Sequence, residues 1–238
     1  MRPAASLALM LGAVAVLAAC GSSEGVSSKS AAAILAASRT AARNASAVRA
    51  TSQIFAPRAD PKTKSKPRAV ATLELQLSGG DGRANVAFLG SQTEAVRIGQ
   101  TLYVKGSPQF YRRLNERNGT HVANGTWLKA PAGSTELTNL AALTQPSGEL
   151  TLLLRNPTLA LRKGAQTTVD GQKAIELKTK GKLYTGAIYV AASGTPYPLQ
   201  IVKHGRENAL ITFAGWNKPS QIEAPSGAVA LTEARSGG

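Results

Sequence analysis

Cysteine and histidine are scarce in this sequence, which has one cysteine and two histidines in 238 residues. A single cysteine excludes an intrachain disulfide bond. Beside it, only His121 and His204 could act as imidazole ligands, which is too few for a Cys/His zinc site or an iron–sulfur cluster. We therefore expect no metal and no cofactor.

Catalytic motifs are missing as well. The sequence holds no G-x-S-x-G, H-E-x-x-H, phosphate-binding loop or G-x-G-x-x-G in the strand-to-helix setting that such motifs require. Both histidines stand in polar, turn-like contexts, NGTHVANG and VKHGREN, which favour a solvated imidazole over a catalytic base. We predict a protein that is not an enzyme.

Aromatic residues are few, at 5%, yet hydrophobic residues make up 43% of the chain. That apolar content excludes collagen, coiled-coil and disordered chains. The length of 238 residues fits one large β domain as well as two small ones.

Long apolar runs are absent except at the N-terminus, where an apolar run of about 15 residues follows the start MRP. A transmembrane helix needs roughly 20 apolar residues, so this run fits a secretory signal better. Its last four residues, Leu17-Ala18-Ala19-Cys20, resemble the lipobox of bacterial lipoproteins. The resemblance implies a signal peptide over residues 1–19, cleavage before Cys20 and a diacylglyceryl group on the Cys20 sulfur. The alternative is an ordinary secreted protein with a chance cysteine.

Two acyl chains anchor a protein stably, whereas one binds only marginally. We therefore expect the mature protein on the extracytoplasmic face of a bacterial cell membrane, held by its N-terminal lipid. Residues 21–30 are small and polar, which predicts a flexible tether, so residues 20–30 form the lipidated cysteine and its linker.

The chain is strongly basic, with 28 Lys and Arg against 13 Asp and Glu; removal of Arg2 with the signal leaves 27 against 13, or +14. Outside the cell, nucleic acid is not an expected partner, whereas anionic phospholipids and acidic envelope polymers are. Residues 57–68 hold three prolines and no large apolar residue, which predicts a basic loop that contacts anionic surfaces. A solvated connection without a partner is the alternative. The basic residues in question are Arg58, Lys62, Lys64, Lys66 and Arg68.

The mature chain alternates between two patterns. An Ala-rich stretch from Ser30 to Val48 has one apolar face and predicts a helix. Period-two alternation then predicts an antiparallel meander over residues 73–104 and a second one from residue 159 to 213. Between them, residues 107–150 predict inserted helices, with residues 148–155 open to either a helix or a strand. Residues 31–217 thus form one domain, and residues 218–238 are expected to be a flexible tail.

This order of elements resembles the mycobacterial LppX/LprG lipoproteins and the LolA/LolB lipoprotein carriers. The local motifs that carry the resemblance are residues 102–106 (LYVKG) before Phe110-Tyr111, residues 125–129 (GTWLK), residues 169–174 (VDGQKA), and residues 188–190 with 194–199 (GTPYPL). The resemblance implies an α+β fold: a strongly curved antiparallel half-barrel sheet, with the N-terminal helix and inserted helices over its concave face. It also implies that this concave face holds acyl chains.

The apolar phase of the strands supplies the candidate cavity lining. Its members are mostly aliphatic, which suits alkyl chains, although a close-packed core without a cavity fits the same alternation. The first hypothesis is a lipoprotein that binds an amphipathic lipid or lipoglycan for carriage or presentation in the envelope. The alternative is an interaction module with a filled core, which binds a protein or an anionic envelope polymer through its basic surface. The candidate lining residues are Leu73, Leu75, Val86, Phe88, Val96, Ile98, Val104, Ile175, Leu177, Ile188, Val190, Leu199, Ile201 and Phe213.

Overall fold

The computed structural model describes residues 26–56, 68–118, 122–145, 160–182 and 184–233. The predicted signal peptide, Cys20, His121, residues 148–155 and most of the predicted basic loop lie outside these ranges. Within them, no helix has the length and apolar character to cross a bilayer. The same residues include no group of three or more His, Cys, Asp or Glu side chains placed to hold a metal ion.

The described strands form a single open, curved sheet. Its order is β12-β6-β5-β4-β3-β2-β1-β11-β10-β9-β8-β7, and every neighbouring pair is antiparallel except β12 and β6. The strands are β1 Ala47–Phe55, β2 Ala69–Ser78, β3 Asp81–Phe88, β4 Ser91–Ile98, β5 Thr101–Gly106, β6 Leu128–Pro131, β7 Ala160–Val169, β8 Gln172–Lys180, β9 Tyr184–Ala191, β10 Pro198–Gly205, β11 Asn208–Ala214 and β12 Val229–Ala230.

The predicted α+β fold, with two meanders in one sheet and helices inserted between them, is confirmed. Strand β1 was not predicted, although it joins the meanders by pairing with β2 on one side and β11 on the other. The predicted N-terminal helix ran to Val48 but ends at Arg43, with the Asn44 N–H bonded to the Thr40 carbonyl. Two residues of β1 that lie on the same face as Leu73 and Leu75 are the small or polar Ala50 and Ser52. The alternation of hydrophobic and polar residues in β1 is therefore weak, which is why the sequence did not predict this strand.

Three helices accompany the sheet in the described part of the chain: α1 Ala31–Arg43, α2 Pro108–Asn118 and α3 Thr138–Leu143, the last preceded by a 3-10 turn, Thr135–Leu137. Ser30 caps α1 by accepting a hydrogen bond from the Ala33 N–H at 3.2 Å. The Lys163 ammonium on β7 donates to the carbonyls of Ser27 and Lys29 at 2.9 and 3.2 Å. These bonds hold the start of α1 against the β7 edge of the sheet.

The cross-strand register defines two faces of the sheet. Directly paired residues lie on the same face, so one row can be followed from β11 to β6. This row is buried and belongs to the main core together with residues of all three helix regions. We call this side the inner face and the opposite side the outer face. The row consists of Phe213, Ala50, Leu75, Ala84, Ala95, Val104 and Leu128.

The segment after β11 is fastened to the sheet at both ends, although a flexible tail was expected from residue 218. The Asn217 N–H donates to the Ala47 carbonyl at 2.9 Å, and the Ser220 hydroxyl accepts from the Gln76 amide at 2.7 Å. At its other end, β12 pairs with β6 and Leu231 is buried. Proline and glycine content alone predicted a loose tail, because bonds to distant strand ends leave no local pattern.

Trp216 fixes the point where this segment leaves the sheet. Its ring stacks on Tyr197 at 4.7 Å, and its indole N–H donates to the Pro198 carbonyl at 3.0 Å. Trp216 is therefore a packing anchor between the end of β11 and the start of β10.

Gly82 tests the contact between α3 and the sheet. It lies on the inner face, where a β-carbon at residue 82 would overlap the carbonyl oxygen of Thr144 at the end of α3. Overpacking of this kind costs about 1–3 kcal/mol, so Gly82→Ala is expected to lower the free energy of unfolding by that amount. Gly80→Ala is the control, since nothing lies within 4 Å of a β-carbon there. Equal melting temperatures of both variants in thermal unfolding would contradict the α3 contact.

Candidate functional site

Most of the predicted lining residues lie on the inner face. The register places eleven of the fourteen there. Whether residues on this face line a cavity or a packed core depends on what covers them. The eleven are Leu73, Leu75, Val86, Phe88, Val104, Ile175, Leu177, Ile188, Val190, Ile201 and Phe213.

Two of the exceptions, Val96 and Ile98, lie on the outer face of β4. Val96 is paired with Arg83 and Tyr103, and Ile98 with Thr101. The inward phase of this strand is Ser91, Thr93, Ala95 and Arg97, whose hydrophobicity is lower than that of the outward phase. Hydrophobicity therefore indicated the wrong face of β4, even though Val96 is fully buried.

Leu199 is the third exception, because the register of β10 against β9 shifts between Pro198 and Gln200. Such a bulge adds one residue to a strand and reverses the alternation beyond it. Leu199 packs with Val169, Ala174 and Ala191 in a small separate cluster rather than in the main core. A one-residue irregularity of this kind has no clear signal in the sequence.

Helix α1 covers the inner face of the second meander. It contacts β7, β9 and β10, and its buried Ile34 and Leu35 belong to the same core as Ile175 and Ile188. The predicted lining residues of β8 and β9 are at most 5% exposed, so in this half the inner face is close-packed. For these strands the structure matches the alternative of a filled core.

An open groove lies in the other half, between the β3–β4 hairpin and α2. Its volume is about 590 Å³. Val86 and Phe88 are the predicted lining residues that border it, and Leu89, Phe110, Leu114 and Leu137 supply further apolar wall. Ser91, Thr93, Gln109, Arg113 and Glu136 supply the polar part of its border. A lining that combines apolar side chains with polar and charged ones suits an amphipathic ligand.

Helix α2 is held as a fixed wall of this groove. The buried Tyr111 hydroxyl donates to the Thr126 carbonyl at 2.6 Å and accepts from the Gly106 N–H at 3.2 Å. Burial raises the pKa of the Tyr111 phenol above its usual value, so the hydroxyl keeps its proton and its donor role. The neighbouring Phe110 packs edge-on against Tyr111 and occupies the space that a β-carbon at Gly106 would need.

Two further contacts fix the ends of α2. The hydroxyls of Ser91 and Ser107 are 2.6 Å apart, which ties the start of α2 to the start of β4. Near the other end, the Asn115 side chain exchanges hydrogen bonds with the Val122 backbone at 3.2 and 3.3 Å. With Tyr111 between them, these contacts hold the groove wall in one position.

The groove residues on α2 were not predicted as site residues. Phe110, Tyr111 and Leu114 stand at helical spacing within residues 107–150, where the sequence predicts inserted helices. A helix expected over a concave face must turn its apolar side towards that face, so this spacing was the available signal. Leu137, in the 3-10 turn, follows from the same reasoning.

No protein-family model and no curated protein matches the chain. Solved structures do. Lipoprotein LppX from Mycobacterium tuberculosis matches with a TM-score of 0.50 over 81% of this chain and 99% of LppX, at 13% identity. LprF from Mycobacterium bovis matches with a TM-score of 0.51 over 83% of this chain and 97% of LprF, at 14% identity. This chain has the LppX/LprF fold.

The predicted resemblance to LppX-type lipoproteins is thus confirmed at the level of the fold. A LolA superfamily protein from Nitrosomonas europaea, NE2245, matches more weakly, with a TM-score of 0.32 over 82% of this chain and 10% identity. Identities this low establish a common architecture, whereas ligands differ widely among proteins that share a fold.

One substitution to tryptophan in each half of the sheet distinguishes the open groove from the packed core. Val86 borders the groove, so Val86→Trp is expected to leave the melting temperature nearly unchanged because the larger side chain has space. Ile188 is buried beneath α1, so Ile188→Trp should cost about 1–3 kcal/mol through forced rotamers and backbone shifts. Thermal unfolding measures both. Equal destabilisation by the two substitutions would mean that the groove half is as closely packed as the α1 half.

Proposed function

We propose that this protein is a membrane-anchored lipoprotein of the bacterial cell envelope that binds the acyl chains of an amphipathic lipid or lipoglycan. The observation that carries the proposal is the open groove between β3–β4 and α2, whose lining combines aliphatic and aromatic side chains with polar and charged ones. Its volume of about 590 Å³ lies within the usual range of ligand pockets, about 300–1,000 Å³.

The energetics favour an apolar site with little water. An acyl chain that leaves a bilayer loses about 0.8 kcal/mol for every methylene group exposed to water. A carrier must return nearly all of this free energy through its own apolar side chains. Phe88, Phe110, Leu114 and Leu137 offer such contacts, and Arg113 at the border can pair with an anionic head group.

Binding rather than catalysis is part of the proposal. His204 is exposed at the end of β10, while His121 lies outside the described residues. No described catalytic pairing of a nucleophile with a base supports a reaction at the groove. The lipid is therefore expected to leave the protein chemically unchanged.

Lipid extraction tests the groove with two adjacent residues of β4. Thr93 borders the groove on the inner face, whereas the exposed Gln92 belongs to the outer face. The wild-type chain, purified from membranes, is expected to release a bound lipid into organic solvent, detected by mass spectrometry beside the covalent anchor. Thr93→Trp should lower its amount severalfold, and Gln92→Trp should not.

An absence of extractable lipid from the wild type would refute lipid binding and favour the alternative of an interaction module with a basic surface. Equal lipid content in the two Trp variants would place the lipid elsewhere in the molecule. Thermal unfolding of both variants serves as the check that each one is folded.

The anchor is proposed to be the lipid on Cys20, on the basis of the lipobox and the lack of another apolar run of membrane length. Cys20→Ala is expected to prevent lipidation, so the mature form should leave the membrane fraction. Fractionation and immunoblotting measure this. If a processed Cys20→Ala protein without its signal still sediments with membranes, the anchor lies elsewhere.

The basic loop is proposed to add an electrostatic contact with anionic surfaces. Of its five basic residues, Arg68 is the one described, and it is exposed directly before β2. Arg58, Lys62, Lys64 and Lys66 lie outside the described ranges, and their contact with such surfaces stays a prediction.

A further inference from the structure

The β3–β4 turn exposes two large apolar side chains next to one another. Phe88 is 56% exposed and Leu89 is 72% exposed. Val229 is the other large hydrophobic residue exposed within the described ranges, and it lies on β12. An adjacent exposed pair of this size at a protruding turn is uncommon on a protein that contacts only water.

The backbone of this turn makes the leucine more unusual. Leu89 has a φ of 48° and Gly90 a φ of 83°, which is the two-residue turn that favours Asn-Gly or Asp-Gly. The β7–β8 turn of the same sheet has this conformation with the preferred residues, since φ is 46° at Asp170 and 79° at Gly171. Leu89 thus gains neither from backbone preference nor from burial. A contact with a partner outside the described fold would account for a leucine at this position.

The surroundings of the turn indicate the chemistry of that contact. The strand pairing shows which other residues lie at the same end of the sheet as the Phe88–Leu89 turn. Five exposed basic residues lie there: Arg68, Lys180, Lys182, Lys203 and Arg206. We call these five residues the basic rim. Glu207 is the acidic residue in the described turns at this end.

The opposite end of the strands has a different charge. Its described turns, residues 79–81, 99–100, 170–173, 192–197 and 215–218, hold Lys173 and Lys218 together with Asp81 and Asp170, so their charges balance. The positive charge at the Phe88–Leu89 end is therefore a local property and not just a consequence of the basic composition. Aromatic groups accompany it, because the Lys203 ammonium lies 4.8 Å from the centre of the Tyr184 ring.

The groove extends to the same end of the sheet. Phe88 and Leu89 belong both to the exposed turn and to the groove border, together with Ser91 at the start of β4 and Gln109 at the start of α2. A partner that covers the turn therefore covers this end of the groove, which we call its mouth.

We propose that the basic rim and the Phe88–Leu89 turn dock on a bilayer that contains anionic phospholipid. The lysines and arginines pair with the head groups, and the two apolar side chains enter the interface, where apolar and aromatic residues are stabilised. The groove mouth then faces the lipid phase, so an acyl chain can pass without crossing water. The passage of an acyl chain between bilayer and groove rests on the proposed lipid binding, whereas docking on the bilayer does not.

Vesicle binding tests the docking. The chain from residue 20 onward, with Cys20→Ser, contains every described residue and no covalent lipid. It is expected to co-sediment with vesicles of phosphatidylglycerol and phosphatidylcholine, less so at high salt, and not with phosphatidylcholine alone. Leu89→Asn should weaken this binding about tenfold, because it removes the most exposed apolar side chain.

The same substitution separates docking from folding. Asparagine suits the left-handed position better than leucine does, so Leu89→Asn is expected to keep or raise the melting temperature while vesicle binding falls. A structural role for Leu89 would lower the melting temperature instead and would overturn the proposal.

Two matched pairs of lysines test the basic rim. Lys182→Glu with Lys203→Glu reverses two rim charges, and each lysine near an anionic surface accounts for about fivefold in binding. Lys173→Glu with Lys218→Glu makes the same change in net charge among exposed lysines away from the rim. Weaker binding by the rim pair alone supports the proposal.

Equal loss of binding in both pairs would assign the effect to net charge and overturn the docking surface, as would unchanged binding by Leu89→Asn. The outcome is independent of lipid extraction. Vesicle binding that depends on the rim, combined with a wild-type protein free of extractable lipid, would leave the docking intact and refute the proposed lipid binding.

Discussion

The inner face of the sheet has to be shielded from water by helices that are short compared with it. Twelve strands at a spacing of about 4.8 Å give a sheet roughly 50 Å wide along its curve. The 13 residues of α1 and the 11 residues of α2 correspond to helices of about 20 and 17 Å. Neither can cover such a face, so each shields one part. The difference in how closely the two parts are packed follows from this division.

The two halves are shielded in different ways. Helix α1 lies directly on the second meander, where Ile34 and Leu35 fill the space above β8 and β9. Helix α2 contacts β5 and is tied by the bonds of Tyr111 to Gly106 and Thr126, and Ser91 bonds to Ser107 just before the helix. The groove lies between this helix and the β3–β4 hairpin. Its position at the Phe88–Leu89 end thus follows from where α2 is tied.

Alternation along the chain was sufficient to predict most strands, both meanders and the single sheet, because burial on one face of a pleated strand imposes a period of two. Alternation was not sufficient to predict which residues of each strand lie on the inner face. In β4 the inward residues Thr93 and Ala95 are less apolar than the outward Val96, and in β10 a bulge turns Leu199 outward. Nor could it predict the groove, since the same alternation serves Ile188 in a packed core and Val86 beside open space. That distinction depends on long-range contacts of helices, for which the sequence has no local pattern.

Photo-cross-linking tests most directly whether acyl chains occupy the groove between β3–β4 and α2. A fatty acid with a photoreactive diazirine near its methyl end is bound to the protein, irradiated, and its attachment points are mapped by mass spectrometry of peptides. We expect cross-links at Phe88, Leu114 and Leu137, which surround the groove. Cross-links concentrated on α1 or on the outer face around Gln92, or a protein that carries none, would contradict the account.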